Sequence, residues 1–235
     1  GGGWFDPYDC DRIDTYLEQA YLTVFSKCKE LMMFCWPSIY DNKRATPLGY
    51  QYQKLDEIIG ECGNPVGLKV YIPFDSQGDD HIEDYLGMIG IPMEPTPNFP
   101  TITDDKNPES VLITAASLKD EKIIDKIKEY VFKGGKIIAT SGFMIGAFEK
   151  KLPVEDITSI RYTNRRLDAD EFQVTTTSDY GRNYVKSKDV ISFPLLEHRN
   201  NASWSKVNAG HGEYHESIVM YETYGNGVFE VITLP

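Results

Sequence analysis

A chain of 235 residues that is 41% hydrophobic has enough apolar material for a full core, either as one large domain or as a small unit joined to a larger one. Its formal charge of -12 repels phosphate backbones and anionic lipid, so nucleic acid is not expected as a partner and neither are acidic membrane surfaces. The longest apolar runs, at 31–36 and 111–116, fall far short of the roughly 20 residues a membrane helix needs, so the chain is expected to be soluble, with no membrane insertion.

No signal peptide opens the sequence. Gly1-Gly2-Gly3 runs directly into Trp4-Phe5-Asp6-Pro7, which reads as a segment cut from something longer. Over 11–27, Ile13, Tyr16, Leu17, Ala20, Tyr21, Val24 and Phe25 recur with the period of an amphipathic helix. The apolar run at 31–36 suits a strand buried on both faces of a parallel sheet, stopped by Pro37. After a polar loop at 40–47, a second helix places Leu55, Ile58, Ile59 and Cys62 on one face and ends at Gly63-Asn64-Pro65. Residues 1–66 are thus a helix-strand-helix segment with no sheet of its own. Cys10, Cys28, Cys35 and Cys62 all lie in it, without a CxxC pair or metal-ligand spacing. Cys35 and Cys62 read as small buried hydrophobes, and a disulfide stays open. No metal or cofactor is expected.

A second domain, 67–235, starts with a strand at 68–72 that leads through Asp75-Ser76-Gln77-Gly78 into a helix capped by Gly90. A buried strand at 111–116, a helix at 119–133 stopped by Gly134-Gly135 and a strand at 136–140 follow. Strands alternating with helices imply parallel pairing through right-handed crossovers, an α/β class of flavodoxin-like, doubly wound type with a predominantly parallel sheet. Beyond Pro153 the pattern changes to short strands at 157–162, 172–177, 190–193, 218–224 and 228–234. The last two form a hairpin through Tyr224-Gly225-Asn226-Gly227, completing a β-rich, antiparallel C-terminal extension.

The strand at 111–116, the Gly134-Gly135 stop, Lys136-Ile137-Ile138-Ala139-Thr140 and the closing Tyr224-Gly225-Asn226-Gly227-Val228 resemble the class I glutamine amidotransferase-like superfamily. Within it, residues 67–235 are most similar to the noncatalytic trimerisation domain of bacterial beta-galactosidases. The front segment, with Trp4-Phe5-Asp6-Pro7-Tyr8 and Met33-Phe34-Cys35-Trp36-Pro37, resembles the last turns of a glycoside hydrolase (β/α)8 barrel, which precedes that domain in those enzymes. The resemblance implies a noncatalytic accessory or assembly domain of a carbohydrate-active enzyme. Its expected partners are the parent barrel or further copies of itself, with carbohydrate as the ligand class. The compartment stays open, the glycosidase resemblance pointing to the periplasm or the outside.

In amidotransferases the resemblance places a nucleophile at the elbow after the strand at 136–140, with a His-x-Glu pair later. Here the elbow is Ala139-Thr140-Ser141-Gly142-Phe143, with no cysteine. Ser141 is either a nucleophile lacking the first glycine of Gly-x-Ser-x-Gly or a polar residue capping the next helix. His211-Gly212-Glu213 spells the His-x-Glu, and His215 follows. Their spacing would align two metal ligands on a helix, but Gly210 and Gly212 argue for a solvated loop. The alternative function is therefore a small hydrolase or amidotransferase-like enzyme using Ser141 with His211 or His215. Asp75, Ser76, Gln77 and Gly78 lie on the carboxyl edge where open α/β sheets bind ligands, or they cap the helix. Trp36 at the end of its strand is a sugar-stacking platform or packing beneath Pro37. Asp6 is similarly placed, and it is not read as catalytic. With 15 Tyr and 11 Phe in the chain, residues 162–204 are the expected contact region for self-association.

Overall fold

The computed structural model describes residues 2–5, 10, 12–41, 43–64, 66–76, 82–102, 108–174, 183–198 and 203–235. The chain divides into two units, Gly1–Val66 and Gly67–Pro235.

In the first unit, β1 (Gly2–Phe5) and β2 (Glu30–Met33) pair in parallel, with Gly2 opposite Glu30 and Phe5 opposite Met33. Parallel neighbours need a crossover, which α1 (Ile13–Phe25) supplies. A Cβ on Gly3 would come within 1.7 Å of the Thr23 side chain, so glycine there lets α1 lie against the strand. The segment therefore has a sheet of its own, contrary to the sequence reading, in which the glycine run hid β1. β2 differs from expectation too: it is exposed along its whole length rather than buried on both faces. α2 (Trp36–Asp41) begins at Trp36 instead of a strand ending there, and Pro37 sits in its first turn, where no intrahelical N–H is needed. α3 (Ala45–Ile59) follows. Tyr16, Ala20, Ile39, Leu48 and Cys10 form the core, whereas Cys35 and Cys62 are only half-buried; none of the four cysteines is joined in a disulfide.

Among the described residues, the second unit is built on one nine-stranded sheet. β3 (Leu68–Tyr71), β4 (Met93–Thr96), β5 (Ser110–Ile113) and β6 (Lys136–Thr140) are parallel, linked through α4 (Ile82–Met88) and α5 (Ile123–Phe132). α6 (Ser141–Glu149) leads to four further strands, β7 (Arg161–Val174), β8 (Asn183–Glu197), β9 (Trp204–His211) and β10 (Tyr214–Tyr224). β11 (Gly227–Ile232) then returns to the middle, giving the order β4-β3-β5-β6-β11-β10-β9-β7-β8. It is parallel to β6 and antiparallel to β10, and every ladder beyond it is antiparallel. The α/β class stands, but the predominantly parallel, flavodoxin-like sheet gives way to a mixed one. The strands expected to be short beyond Pro153 are long, and they supply half of the pairing.

One face of the parallel half carries Val111, Ile113, Ile137, Ala139, Phe229 and Val231, all fully buried beneath α5 and α6. Each of these side chains except that of Ala139 contributes about 1.5–3 kcal/mol of transfer free energy. α5 stops where Gly134 turns left-handed at φ 107°, and the Gly135 amide returns to the Tyr130 carbonyl at 2.9 Å. The closing hairpin turns on Gly225-Asn226, with Gly225 at φ 60° as the first central residue of a type II′ turn requires. In the antiparallel half, Leu167, Ala169, Phe193, Leu195, Ala209 and Ile218 form a separate core. β8 is the edge strand. Between the pairs Ala169↔Ile191 and Glu171↔Lys186 its register slips, and Pro194 removes a donor further along, so two recognised devices blunt that edge against pairing.

Candidate functional site

At the carboxyl edge of the parallel strands the polar groups stitch backbone to backbone. The Ser117 hydroxyl, in the short 3-10 turn after β5, donates to the Tyr71 carbonyl at 2.9 Å and accepts from the Thr114 amide at 3.3 Å. The Tyr71 hydroxyl donates to Asp120 at 2.8 Å, and Lys126 pairs with the same carboxylate at 2.5 Å. Burial, reinforced by Asp120, pushes the Tyr71 hydroxyl well above its ordinary pKa. Desolvation opposes ionisation of Asp120, but bonds from Lys126 and Tyr71 outweigh it and hold the carboxyl below its usual range.

Thr140, not Ser141, caps α6, accepting from the Phe143 amide at 3.2 Å. Ser141 is the first helical residue and is 3% exposed. Its hydroxyl accepts from the Leu234 amide at 3.0 Å and donates to the Leu234 carbonyl at 3.3 Å. Neither His211 nor His215 shares this site: β11 lies between β6 and β10, and the two histidines lie on β9 and β10, at least two strand spacings or about 9–10 Å across the sheet. Asp75 is exposed at φ 57°, a conformation Asp tolerates, and Ser76 closes a turn onto the Pro73 carbonyl at 3.2 Å. Gln77, Gly78 and Asp6 lie outside the described residues.

The histidine segment is not a loop but a tight hairpin, turning on Gly212-Glu213 with Gly212 at φ 63°. His211 lies opposite Tyr214 and Gly210 opposite His215, so the two imidazoles project from opposite faces. His211 Nδ1 meets Asp170 at 2.8 Å on one face, and His215 Nε2 lies 3.6 Å from Glu171 on the other. The bond with His211, more than that with Lys186, lowers the Asp170 pKa. Among the described residues, no group of three or more His, Cys, Asp or Glu is arranged to hold a metal ion. In the first unit, Trp36 is 62% exposed just past the end of β2 and stacks on Tyr40, ring centroids 6.5 Å apart at 29°.

One concavity among the described residues was not legible from motifs. It is a cleft of about 750 Å³ between α6, residues 154–162 and β10. Glu222 lies on its floor, 4% exposed, accepting from the Thr158 hydroxyl at 2.9 Å, the Ser159 amide at 2.6 Å and the Ser159 and Ser203 hydroxyls. Desolvation raises its pKa, but the bonds from Ser159, Ser203 and Thr158 together outweigh it and keep the carboxylate ionised below its ordinary range. The signal available in the sequence was a lone acid inside the apolar β10 run.

A mixed-sheet α/β unit following a parallel strand-helix-strand segment defines the class, and residues 63–235 match the family model described as "Uncharacterized protein SSO3021, second domain". The chain belongs to that family. Residues 1–61 match a second model, "Probable glycosyl hydrolase, catalytic domain". Uncharacterized protein SSO3021 of Saccharolobus solfataricus is 26% identical over 254 aligned residues, covering 99% of this chain and 40% of that protein. The chain thus spans well under half the length of the curated relative it matches. Among solved structures, Gan42B, a GH42 beta-galactosidase, superposes with TM-score 0.55 at 15% identity over 94% of this chain and 38% of its own, a likeness of fold alone. Agd3, a carbohydrate deacetylase, reaches TM-score 0.41 at 11% identity over 71% of this chain and 29% of its own, too distant to carry an argument.

Proposed function

We propose that residues 67–235 are a noncatalytic accessory and assembly domain of a carbohydrate-active, glycosyl hydrolase-related protein, and that residues 1–66 are the closing piece of its catalytic barrel. The observation that carries this reading is Ser141. At the position where amidotransferase-like folds keep a nucleophile, both hydrogen-bonding roles of the hydroxyl are taken by Leu234, and neither His211 nor His215 adjoins it. A hydrolase using Ser141 with His211 or His215 would need that clamp broken and β11 bypassed.

Two further features support the reading. The parallel pair β1–β2 leaves Leu31, Met32 and Met33 exposed, although parallel strands are normally covered on both faces, so further barrel elements fit against them. Tyr184, Val185, Val190 and Trp204 are exposed within the antiparallel half, as a subunit or barrel contact requires. Because the β8 edge is blunted, such a contact uses these exposed side chains rather than strand pairing at the edge. The test is removal of residues 67–235 from the longer parent protein, followed by light scattering and hydrolysis of aryl glycosides. The reading expects a smaller assembly with the catalytic carboxylates still present in the barrel. An unchanged oligomer and unchanged activity would refute it.

A further inference from the structure

The cleft beside α6 has the size and chemistry of a small-molecule site. Its volume of about 750 Å³ lies within the roughly 300–1,000 Å³ of such sites. Buried Met144, Ile157 and Ile160 form an apolar floor around Glu222. Phe148 and Tyr162 make a corner at its wall, ring centroids 5.8 Å apart at 85°, so one ring offers a face where the other offers an edge. Phe148 is 56% exposed, an aromatic surface turned to the cleft rather than spent on the core.

The polar groups at the mouth narrow the ligand class. Arg161 lies 3.9 Å from Glu197, beyond hydrogen-bond reach, and its planar donor fork suits a pair of adjacent oxygens. Thr223 also lines the cleft, its side chain on the opposite face of β10 from that of Glu222. Lys151 and Arg161 are set against Glu155, Asp156 and Glu222, so the lining has no positive excess to draw an anion. Glu222 is committed to its four donors and contributes negative potential rather than a vacant acceptor.

A ligand with one flat apolar face, a hydroxylated edge and no charge meets these demands. We propose that the cleft binds a neutral saccharide, its ring stacked on the Phe148–Tyr162 corner and its hydroxyls held by Arg161. The choice of a sugar over other amphipathic molecules rests on the carbohydrate-active parentage proposed above.

Saturation-transfer NMR on the 235-residue chain, with lactose, cellobiose and maltose as probes and glucuronate as the charged control, tests this. Transfer to the ring protons of at least one disaccharide is expected, weakened by about tenfold or more in Arg161→Ala and in Phe148→Ala, as losing one specific contact of this kind implies. Tyr162→Leu, at the other ring of the corner, serves as a second probe if Phe148→Ala disturbs folding. No transfer to any of the three at millimolar concentration overturns the proposal. Transfer to glucuronate alone, or undiminished transfer in Arg161→Ala and Tyr162→Leu, does so too. Absent sugar binding together with an oligomer that depends on residues 67–235 would remove this site and leave the assembly role standing.

Discussion

Ser141 and Leu234 hold each other twice, the Leu234 amide donating to the Ser141 hydroxyl at 3.0 Å and that hydroxyl donating back to the Leu234 carbonyl at 3.3 Å. The pair fastens the segment after β11 to the start of α6. Ser141→Ala would strand both backbone groups, at about 1–3 kcal/mol. Urea unfolding of the 235-residue chain should show a lower midpoint at unchanged slope; a stability within experimental error of wild type would mean that the clamp does not form.

Glutaminase chemistry needs a nucleophile polarised by an adjacent base and facing an oxyanion hole, whereas the Ser141 hydroxyl is engaged by the Leu234 backbone. Incubation with glutamine should release no ammonia above a heat-denatured control. Release abolished by Ser141→Ala would overturn this.

Glu222 predicts an acid-sensitive fold. Its folded-state pKa is depressed, as is that of Glu230, where desolvation is outweighed by Lys136 at 2.8 Å and Lys206 at 2.5 Å. A depressed carboxyl contributes stability that is complete above its unfolded value, about 4.3, and is lost as pH falls through the folded value. The melting temperature should therefore hold from pH 7 to about 5 and fall below about 4.3. Glu222→Gln, which can no longer satisfy all four donors, should cost about 1–3 kcal/mol at neutral pH and flatten the acid limb. An acid limb of wild-type steepness in the variant would assign the effect elsewhere.

Gly210 is required by its neighbours. A Cβ there would lie 2.0 Å from the Tyr214 carbonyl oxygen and 2.7 Å from the His215 ring, and backbone cannot yield as a flexible side chain can. Gly210→Ala should destabilise by about 1–3 kcal/mol and shift the His215 imidazole resonances, whereas Gly212→Ala is strained by its positive φ without any collision. Identical NMR spectra of wild type and Gly210→Ala would contradict the close approach.

The elements legible in the sequence were those whose burial matches their period. β5 and β6 are short apolar runs buried on both faces, and α5 places Ile123, Ile127 and Val131 on one stripe ended by Gly134. β4 escaped because Met93-Glu94-Pro95-Thr96 has no alternation and carries a proline, which only an edge strand accepts. β7 and β8 escaped because one face is largely exposed and register slips interrupt the two-residue rhythm, leaving only fragments visible. The histidine pair was legible as residues but not as geometry. Glycines at 210 and 212 suggest irregular backbone, yet one admits the His215 ring and the other makes the turn. The cleft draws on a helix, a turn and a distant strand, and no local pattern connects Phe148 with Glu222.

The position of β11 has a consequence for biosynthesis. It is the strand latest in chain order, yet it sits at the seam between the parallel and antiparallel halves. While the polypeptide emerges from the ribosome, β3 to β6 and β7 to β10 can each assemble, but they remain two unjoined sheets with open edges at β6 and β10. Both edges are templates for illicit pairing until β11 slots between them. Interruption of translation within the β10–β11 hairpin would therefore release a species with two sticky edges, whereas a break before β7 would leave only one.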